Sequence, residues 1–200
     1  MKRNLNKNTV GGKTIDKTYE INVAGLTRQL PVFKLSDELA IAAFVIFGDV
    51  ELTCSCAKEL IKIAPEHDIM ITAEAKSIPL IHEMARQMGV NQYIIARKGL
   101  KVYMKNPVKV EVHSITTTKK QELYIDQHDK DLMNGKRVLI IDDVISTGDS
   151  LRAVEKLVKL AGGTIVGKMA ILAEGDAKLR DDIQYLAELP LLNADGTPKD

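Results

Sequence analysis

One segment of the chain places acidic, hydroxyl and glycine residues directly after an apolar run. Residues 138–141 are apolar, Asp142 and Asp143 follow, and the next loop contains Ser146, Thr147, Gly148, Asp149 and Ser150. Backbone N–H groups in such a loop, its hydroxyls and the start of a following helix can bind a phosphate. Two neighbouring carboxylates can accept hydrogen bonds from sugar hydroxyls and help hold a divalent cation. The segment therefore predicts a site for a 5-phosphorylated sugar with free 2- and 3-hydroxyls.

Apolar runs and amphipathic stretches alternate around this segment. We expect strands over residues 69–73, 93–96, 138–141 and 164–172. We expect helices over residues 51–63 and 79–88, and a third that begins near Leu151 and ends at Gly162. This order predicts an α/β fold with an open parallel sheet flanked by helices, in which ligands bind at the carboxyl ends of the strands.

The rest of the chain gives weaker signals. Alternating residues over 19–23 predict a strand, and residues 24–29 a loop. Ser36 is expected to cap a helix over residues 37–47. A polar run separates two expected strands, over residues 108–115 and 123–125, and residues from 177 onward carry no assignment.

Residues 138–151 resemble the phosphoribosyl pyrophosphate (PRPP) signature of type I phosphoribosyltransferases, from the apolar strand and two acids to the Thr-Gly-x-Ser loop. The resemblance covers about residues 19–183 and points to the adenine and xanthine branch. It implies that Asp142 and Asp143 are catalytic, position the ribose and indirectly hold Mg²⁺ with PRPP, while the loop binds the 5-phosphate. The alternative is an ordinary strand–turn–helix with solvated acids. The P-loop and the dinucleotide fingerprint are absent.

Two further segments resemble the family's diphosphate site. Residues 72–79 match the diphosphate-binding loop, so Ala75 and Lys76 would meet the diphosphate, often across a cis non-proline peptide. Arg97 and Lys98 match the cation pair that ends the next strand and faces phosphates. Taken alone, these cations would be solvated surface residues.

The segments that resemble the base-binding parts depart most from the family. Residues 24–28 resemble the hood over the purine, with Leu26, Thr27 and Arg28 as candidates, although Thr27 stands where an aromatic residue stacks on adenine. Residues 112–122 resemble the mobile catalytic loop, whose candidates are Thr116, Thr117, Thr118, Lys119 and Lys120. Adenine enzymes carry a glutamate at the position of Thr117, although Glu122 is nearby. Such loops exclude water; the alternative is a solvated hairpin tip.

The resemblance also implies an organisation and an activity. Residues 1–50 would form an N-terminal tail and hood, 51–183 the α/β core and 184–200 a C-terminal tail. The implied reaction transfers the 5-phosphoribosyl group from PRPP to a free purine, adenine first, giving a nucleoside 5′-monophosphate and diphosphate in purine salvage. The alternatives are a xanthine, guanine or hypoxanthine enzyme, and a non-catalytic regulator that senses PRPP or a nucleotide. Mg²⁺ is the implied cofactor, and a homodimer is implied.

Composition and charge argue against several other classes of protein. The net charge is +1 over 200 residues, which argues against a nucleic-acid partner or a basic membrane surface. The longest apolar run, 39–47, is too short to span a membrane, and no apolar signal segment suggests export. Cys54 and Cys56 are too close to build a disulfide framework. We therefore expect a cytoplasmic protein that binds small molecules.

Overall fold

The computed structural model describes residues 13–112 and 121–199, which form two compact units. The smaller unit comprises residues 13–21, Arg28–Phe44 and residues 190–199, and the larger one comprises Asn22–Thr27 and Val45–Leu189. The ranges expected for the hood, the core and the tail stay predictions.

The N-terminal part of the chain forms a small sheet in the order β1 (Lys13–Val23), β2 (Leu26–Lys34) and β3 (Ala40–Ala42). Ala24 and Gly25 join β1 to β2 and have φ angles of 51° and 78°. Positive φ at both central residues is the geometry of a two-residue hairpin turn. The loop predicted over residues 24–29 is therefore too long, because it ends where β2 begins.

No helix forms over residues 37–47, all of which the structure describes, so that prediction is wrong. Part of this run is β3, which pairs antiparallel with β2. Further along, Phe44 and Ile46 are buried, whereas Val45 and Phe47 are exposed. A period of two is that of an extended chain. Because residues 39–47 are all apolar, the sequence does not show whether a helical or a strand period applies there.

The larger unit alternates helices and strands. In chain order its elements are α1 (Val50–Ile63), β4 (Ile69–Ala73), α2 (Ile78–Met88), β5 (Ile94–Ala96), β6 (Val108–Val112), β7 (Gln121–Ile125), α3 (Gln127–Met133), β8 (Arg137–Ile145), α4 (Asp149–Leu160), β9 (Thr164–Glu174), a 3₁₀ helix (Gly175–Leu179) and β10 (Gln184–Leu189). Five strands form a sheet in the order β10-β9-β8-β4-β5, and all neighbours are parallel. The predicted open parallel α/β fold is confirmed.

From α1 onward, three elements have no counterpart among the expected ones. The helix α3 begins with a capping box between Asp126 and Asp129. The 3₁₀ helix and β10 occupy the part of the chain that the sequence leaves unassigned, and β10 forms an edge of the sheet beside β9. The strands β6 and β7, by contrast, lie where two strands were expected, and they pair antiparallel as a separate hairpin.

Local signals set the ends of the helices near the site. Asp49 Oδ1 accepts a hydrogen bond from the Leu52 N–H at 3.0 Å and so caps α1. The helix α2 ends at Gly89, whose φ of 68° is the left-handed conformation that glycine adopts at little cost. Both helices match their predicted ranges closely.

In the described part of the chain, no helix is long and apolar enough to cross a membrane.

The parallel sheet is buried on both faces. On one face, Ile71 and Ile140 belong to a core cluster that includes residues of α4 and of the β6–β7 hairpin. The alternate residues Met70, Leu139 and Ile141 are also buried. The helix α2 contacts β4 and β8 and packs against α1. Burial on both faces explains why these strands are continuous apolar runs.

The acid pair lies where β8 extends past β4. Pairing of β8 with β4 ends at Ile140, whereas its pairing with β9 continues to Ile145. The predicted strand end at residue 141 is therefore wrong, because β9 keeps β8 extended through Asp142 and Asp143. The chain leads from β4 through α2 to β5 on one side, and from β8 through α4 to β9 on the other. This reversal makes the β4–β8 boundary a topological switch point.

Ion pairs connect α4, β9 and the bend before β10. The Lys168 side chain is 16% exposed, and its Nζ lies 2.9 Å from Glu155 Oε1 and also pairs with Asp182. Arg180 donates two hydrogen bonds of 2.8 Å to the Asp182 carboxylate. The hydrogen bonds from Arg180, followed by that from Lys168, hold the pKa of Asp182 well below its ordinary value. The folded state therefore favours the ionised form of Asp182.

We expect Asp182→Asn to lower the free energy of unfolding by about 1 kcal/mol at neutral pH, a small effect because the carboxylate is partly exposed and screened. Its pKa is lower in the folded state than in the unfolded state, so the stabilisation is complete above about pH 4 and is lost as the pH falls. The difference between variant and wild type should shrink accordingly. Urea unfolding at neutral pH and near pH 3 measures it, with the exposed neighbour Asp181→Asn as control. An equal difference at both pH values would contradict the ion-pair role.

Candidate active site

A cavity of about 320 Å³ opens at the switch point. Its lining comes from three stretches of the larger unit: residues 73–77 after β4, Lys98 after β5, and residues 142–151 from β8 into α4. The fold thus brings together Ala75, Lys76, Lys98, the two aspartates and residues 146–150. The volume is in the range of small-molecule sites.

Asp142 and Asp143 share contacts with the hydroxyl group of Ser77. Ser77 Oγ lies 2.7 Å from Asp142 Oδ1 and 3.1 Å from Asp143 Oδ1, and it accepts a hydrogen bond from the Asp143 N–H at 2.9 Å. The same N–H also donates to Asp142 Oδ1 at 2.9 Å. Asp143 is buried and Asp142 half-buried. The two carboxylates are therefore held side by side by groups with which both interact.

The environment of the acid pair opposes the presence of two full negative charges. Burial, followed by the charge of Asp143, raises the pKa of Asp142 above its ordinary value. Lys76 Nζ lies 3.1 Å from Asp143 Oδ2 and supplies a compensating positive charge. A cation or a hydrogen-bond donor entering the cavity would stabilise the ionised pair in the same way.

The acid pair fits a metal that is bound jointly with a ligand. Among the described residues, no group of three or more histidine, cysteine, aspartate or glutamate side chains could hold a metal ion alone. Asp143 Oδ2 is buried, and no described donor meets it in hydrogen-bond geometry, although Lys76 lies at ion-pair distance. Carboxylate oxygens of this kind suit Mg²⁺, which usually binds one or two carboxylates together with substrate phosphates and water.

The loop after β4 is held by the end of β5. The peptide bond between Glu74 and Ala75 is cis. The Lys98 N–H donates to Glu74 Oε2 at 2.9 Å, and Arg97 Nη2 lies 3.3 Å from Glu74 Oε1. These interactions, led by the Lys98 N–H, lower the pKa of Glu74. Glu74 thus fixes the position of the loop that carries Ala75 and Lys76.

The side chains of Arg97 and Lys98, which were both predicted to meet the diphosphate, lie in different surroundings. Lys98 lines the cavity, whereas Arg97 is not among the lining residues. Besides its contact with Glu74, Arg97 donates from Nη1 to the Tyr103 hydroxyl at 2.9 Å. The two side chains therefore have different surroundings, which their adjacency in the sequence does not indicate.

The loop over residues 146–150 leads into α4 at Gly148. Gly148 has a φ of 78°, and a Cβ atom there would lie 2.5 Å from Arg180 Nη1 and 3.3 Å from Arg152 Nη1. The positive φ favours glycine, and a Cβ atom would have to displace the end of the Arg180 side chain. No side chain caps α4, so its first N–H groups are available to an anion in the cavity.

Asp149 is the acidic member of this loop, and its charge is compensated locally. It accepts a hydrogen bond from the Thr147 hydroxyl at 2.9 Å and pairs with Arg152. The Thr147 contact, followed by that of Arg152, lowers the pKa of Asp149. Thr147 must therefore turn its hydroxyl away from Asp149 to donate to a phosphate.

The base-binding candidates are not among the residues that line the cavity. Leu26, Thr27 and Arg28 begin β2, and Thr27 Oγ1 donates to Asn22 Oδ1 at 2.5 Å. The mobile-loop candidates Thr116, Thr117, Thr118, Lys119 and Lys120 lie outside the described residues. Conversely, the cavity contains two residues that the sequence did not single out. Ser77 contacts the acid pair, and Glu74 holds the loop after β4. Ser77 has the position of a helix cap in the sequence, and Glu74 has the appearance of a surface acid.

The fold and the cavity define an open parallel α/β protein that carries an acid pair and an anion-binding loop at its switch point. Comparisons with known proteins specify the family. A model described as the phosphoribosyl transferase domain matches residues 55–190. The chain belongs to this family, as the resemblance of its signature segment predicts.

Individual relatives share parts of the chain. A hypoxanthine/guanine phosphoribosyltransferase of Methanocella paludicola is 33% identical over 127 residues, which are 61% of this chain and 62% of that protein. One from Methanococcus voltae is 36% identical over 111 residues, 56% of this chain and 55% of that protein. The chain thus spans about three fifths of the length of these curated relatives.

A solved structure shares the fold. The adenine phosphoribosyltransferase from Thermoanaerobacter pseudethanolicus superimposes with a TM-score of 0.59 and 23% identity, covering 72% of this chain and 84% of that one. At this identity the similarity concerns the fold alone.

We expect Gly148→Ala to weaken the binding of inorganic phosphate at least about tenfold, because an alanine is strained at this φ by about 1–2 kcal/mol and its Cβ displaces Arg180 or the loop. Calorimetric titration with phosphate measures the effect. Gly89→Ala is the matched control, since Gly89 has a φ of 68° but open space around its Cβ position. The control should lose stability without losing phosphate affinity. A folded Gly148→Ala protein with wild-type affinity would contradict the assignment of the loop.

Proposed function

We propose that this protein is a purine phosphoribosyltransferase that acts in purine salvage. It would transfer the 5-phosphoribosyl group from PRPP to a free purine and release a nucleoside 5′-monophosphate and diphosphate. The observation that carries the proposal is the pair Asp142–Asp143, which lines one cavity together with an uncapped helix start and a lysine-bearing loop. These three features match the ribose hydroxyls, the 5-phosphate and the diphosphate of a single substrate.

In the proposed mechanism the two ends of PRPP are anchored separately. Backbone N–H groups of residues 146–150 and the N-terminal dipole of α4 bind the 5-phosphate. Lys76 and Lys98 bind the diphosphate as cations, for which Lys76 leaves its contact with Asp143. Asp142 and Asp143 accept hydrogen bonds from the ribose hydroxyls. Anchoring at both ends directs the anomeric carbon toward the purine nitrogen.

The chemical step is a displacement at the anomeric carbon. The bond from the anomeric carbon to the diphosphate oxygen breaks and its electron pair leaves with the diphosphate. The purine nitrogen forms the new bond to that carbon, and the proton of that nitrogen is released to the solvent. Asp142 and Asp143 stabilise the positive charge that develops on the ribose. Mg²⁺, held by this acid pair together with PRPP, would supply charge neutralisation for the leaving diphosphate.

Arg97 takes a different role from the one expected from the sequence. Its contacts with Glu74 and Tyr103 favour a role in holding the diphosphate loop rather than in binding phosphate directly. Glu74 connects this arginine to Ala75 and Lys76. The roles of residues 116–120 as a closing loop and of residues 26–28 as a hood stay predictions, as do the homodimer and the cytoplasmic location.

Among the purines, we favour hypoxanthine or guanine over adenine. The two curated relatives named above, at 33% and 36% identity, carry the hypoxanthine/guanine name, whereas the adenine enzyme resembles this chain at the level of fold. Thr27, in place of a stacking aromatic residue, also departs from the adenine pattern. The adenine preference expected from the sequence is thus the second choice.

The proposal is tested by diphosphate release from PRPP and Mg²⁺ with hypoxanthine, guanine, xanthine, adenine, uracil and orotate offered separately. We expect release with hypoxanthine or guanine, and slower release with adenine. No release with any base, combined with calorimetric binding of PRPP, would replace the enzyme by the regulator that senses PRPP. Release with a pyrimidine alone would overturn the purine class.

The acid pair is tested by replacing both Asp142 and Asp143 with Asn. We expect kcat/KM for PRPP to fall about 100-fold or more, because the charges that stabilise the developing positive ribose are removed. Steady-state kinetics with the preferred base measure the change, and the exposed Asp176→Asn serves as the control. Unchanged turnover in a folded double variant would refute the central role of the pair.

A further inference from the structure

Ser77 precedes α2 at the position where a serine normally caps a helix. A capping serine accepts a hydrogen bond from an N–H of the first helical turn. In this structure the Ser77 side chain makes no capping hydrogen bond, although it occupies the N-cap position. Its hydroxyl interacts instead with residues 65 and 66 positions further along the chain. The residue therefore serves something other than the helix that it precedes.

The hydroxyl of Ser77 is fully engaged with the acid pair. Ser77 is 1% exposed, and its Oγ lies 2.7 Å from Asp142 Oδ1 and 3.1 Å from Asp143 Oδ1 and accepts a hydrogen bond from the Asp143 N–H at 2.9 Å. A serine hydroxyl has one hydrogen to donate, so it can serve one carboxylate at a time while it accepts from the backbone. The shorter distance assigns this hydrogen to Asp142.

The same short segment touches the acid pair a second time. Lys76, the residue before Ser77, lies 3.1 Å from Asp143 Oδ2. Lys76 is about half exposed and is the side chain that can leave to meet an anionic ligand. Ser77 is buried and remains in place, so it is the contact that persists between this loop and the acid pair when Lys76 moves.

We propose that Ser77 is a positioning residue for Asp142 and Asp143, which links the loop over residues 74–77 to the acid pair. Its hydroxyl orients the Asp142 carboxylate toward the ribose hydroxyls and holds the Asp143 backbone N–H, so it couples the position of both acids to the loop that meets the diphosphate. This inference deepens the proposed function and rests on it. Ser77 itself does not touch the reacting atoms.

The test compares two ligands that use different parts of the cavity. Mg²⁺-bound PRPP needs the acid pair and both loops, whereas inorganic phosphate needs an anion-binding loop and not the acid pair. For Ser77→Ala we expect calorimetry to give an affinity for PRPP with Mg²⁺ at least about tenfold lower, because hydrogen bonds to charged groups are strong. Its phosphate affinity should stay within about twofold of wild type. Ser77→Thr, which keeps the hydroxyl, should recover most of the PRPP affinity.

Other outcomes distinguish this inference from the proposed function. Ser77→Ala with wild-type PRPP affinity would overturn the positioning role while leaving the proposed function intact. Equal loss of phosphate and PRPP affinity would also overturn it, since that pattern indicates general damage to the cavity. A wild-type protein that fails to bind PRPP would remove the proposed function itself. If Ser77→Ala does not fold, Ser77→Cys replaces it, because a thiol of similar size is only a weak donor, and the same loss is expected.

Discussion

Two carboxylates side by side at the end of a buried strand are the constraint on which this site depends. Asp142 and Asp143 repel each other and lose hydration, so they require compensation from elsewhere in the chain. The fold supplies it from the segment after β4, where Lys76 provides charge and Ser77 provides a hydroxyl. The parallel pairing of β4 with β8 brings this segment to the acids. The sheet and the site are therefore determined by the same register.

Charge compensation also separates the cations around the cavity into two groups. Arg97 and Arg152 each pair with an acid of a lining loop, Glu74 and Asp149 respectively, and so hold the loops. Lys76 and Lys98 line the cavity itself. Lysine is a compact, mobile cation, whereas arginine forms fixed planar contacts. This division suits a site whose loops must keep their shape while an anionic ligand enters and leaves.

The residues matched to the family and the residues expected to contact the base lie in different parts of the chain. The acid pair and the anion-binding loop lie within the matched residues 55–190, whereas the hood candidates Leu26, Thr27 and Arg28 precede that range. One fold supports related activities by changing such peripheral segments. The fold is accordingly shared with an adenine enzyme at 23% identity, while sequence relatives at 33% and above carry another purine in their name.

The parallel α/β fold and the signature from Asp142 to Ser150 can be predicted from the amino-acid sequence, because the strand, the acids and the loop follow one another directly in the chain. The helix expected over residues 37–47 does not form, because the apolar run 39–47 shows neither a helical nor a strand period, and β8 is longer than expected because its pairing with β9 extends it. The different surroundings of Arg97 and Lys98, and the contact of Ser77 with the acids instead of its own helix, are visible only in the folded protein. The contacts of Ser77 join residues more than 60 positions apart, and those of Arg97 and Lys98 involve Glu74 at the end of another strand, so the local sequence does not indicate them.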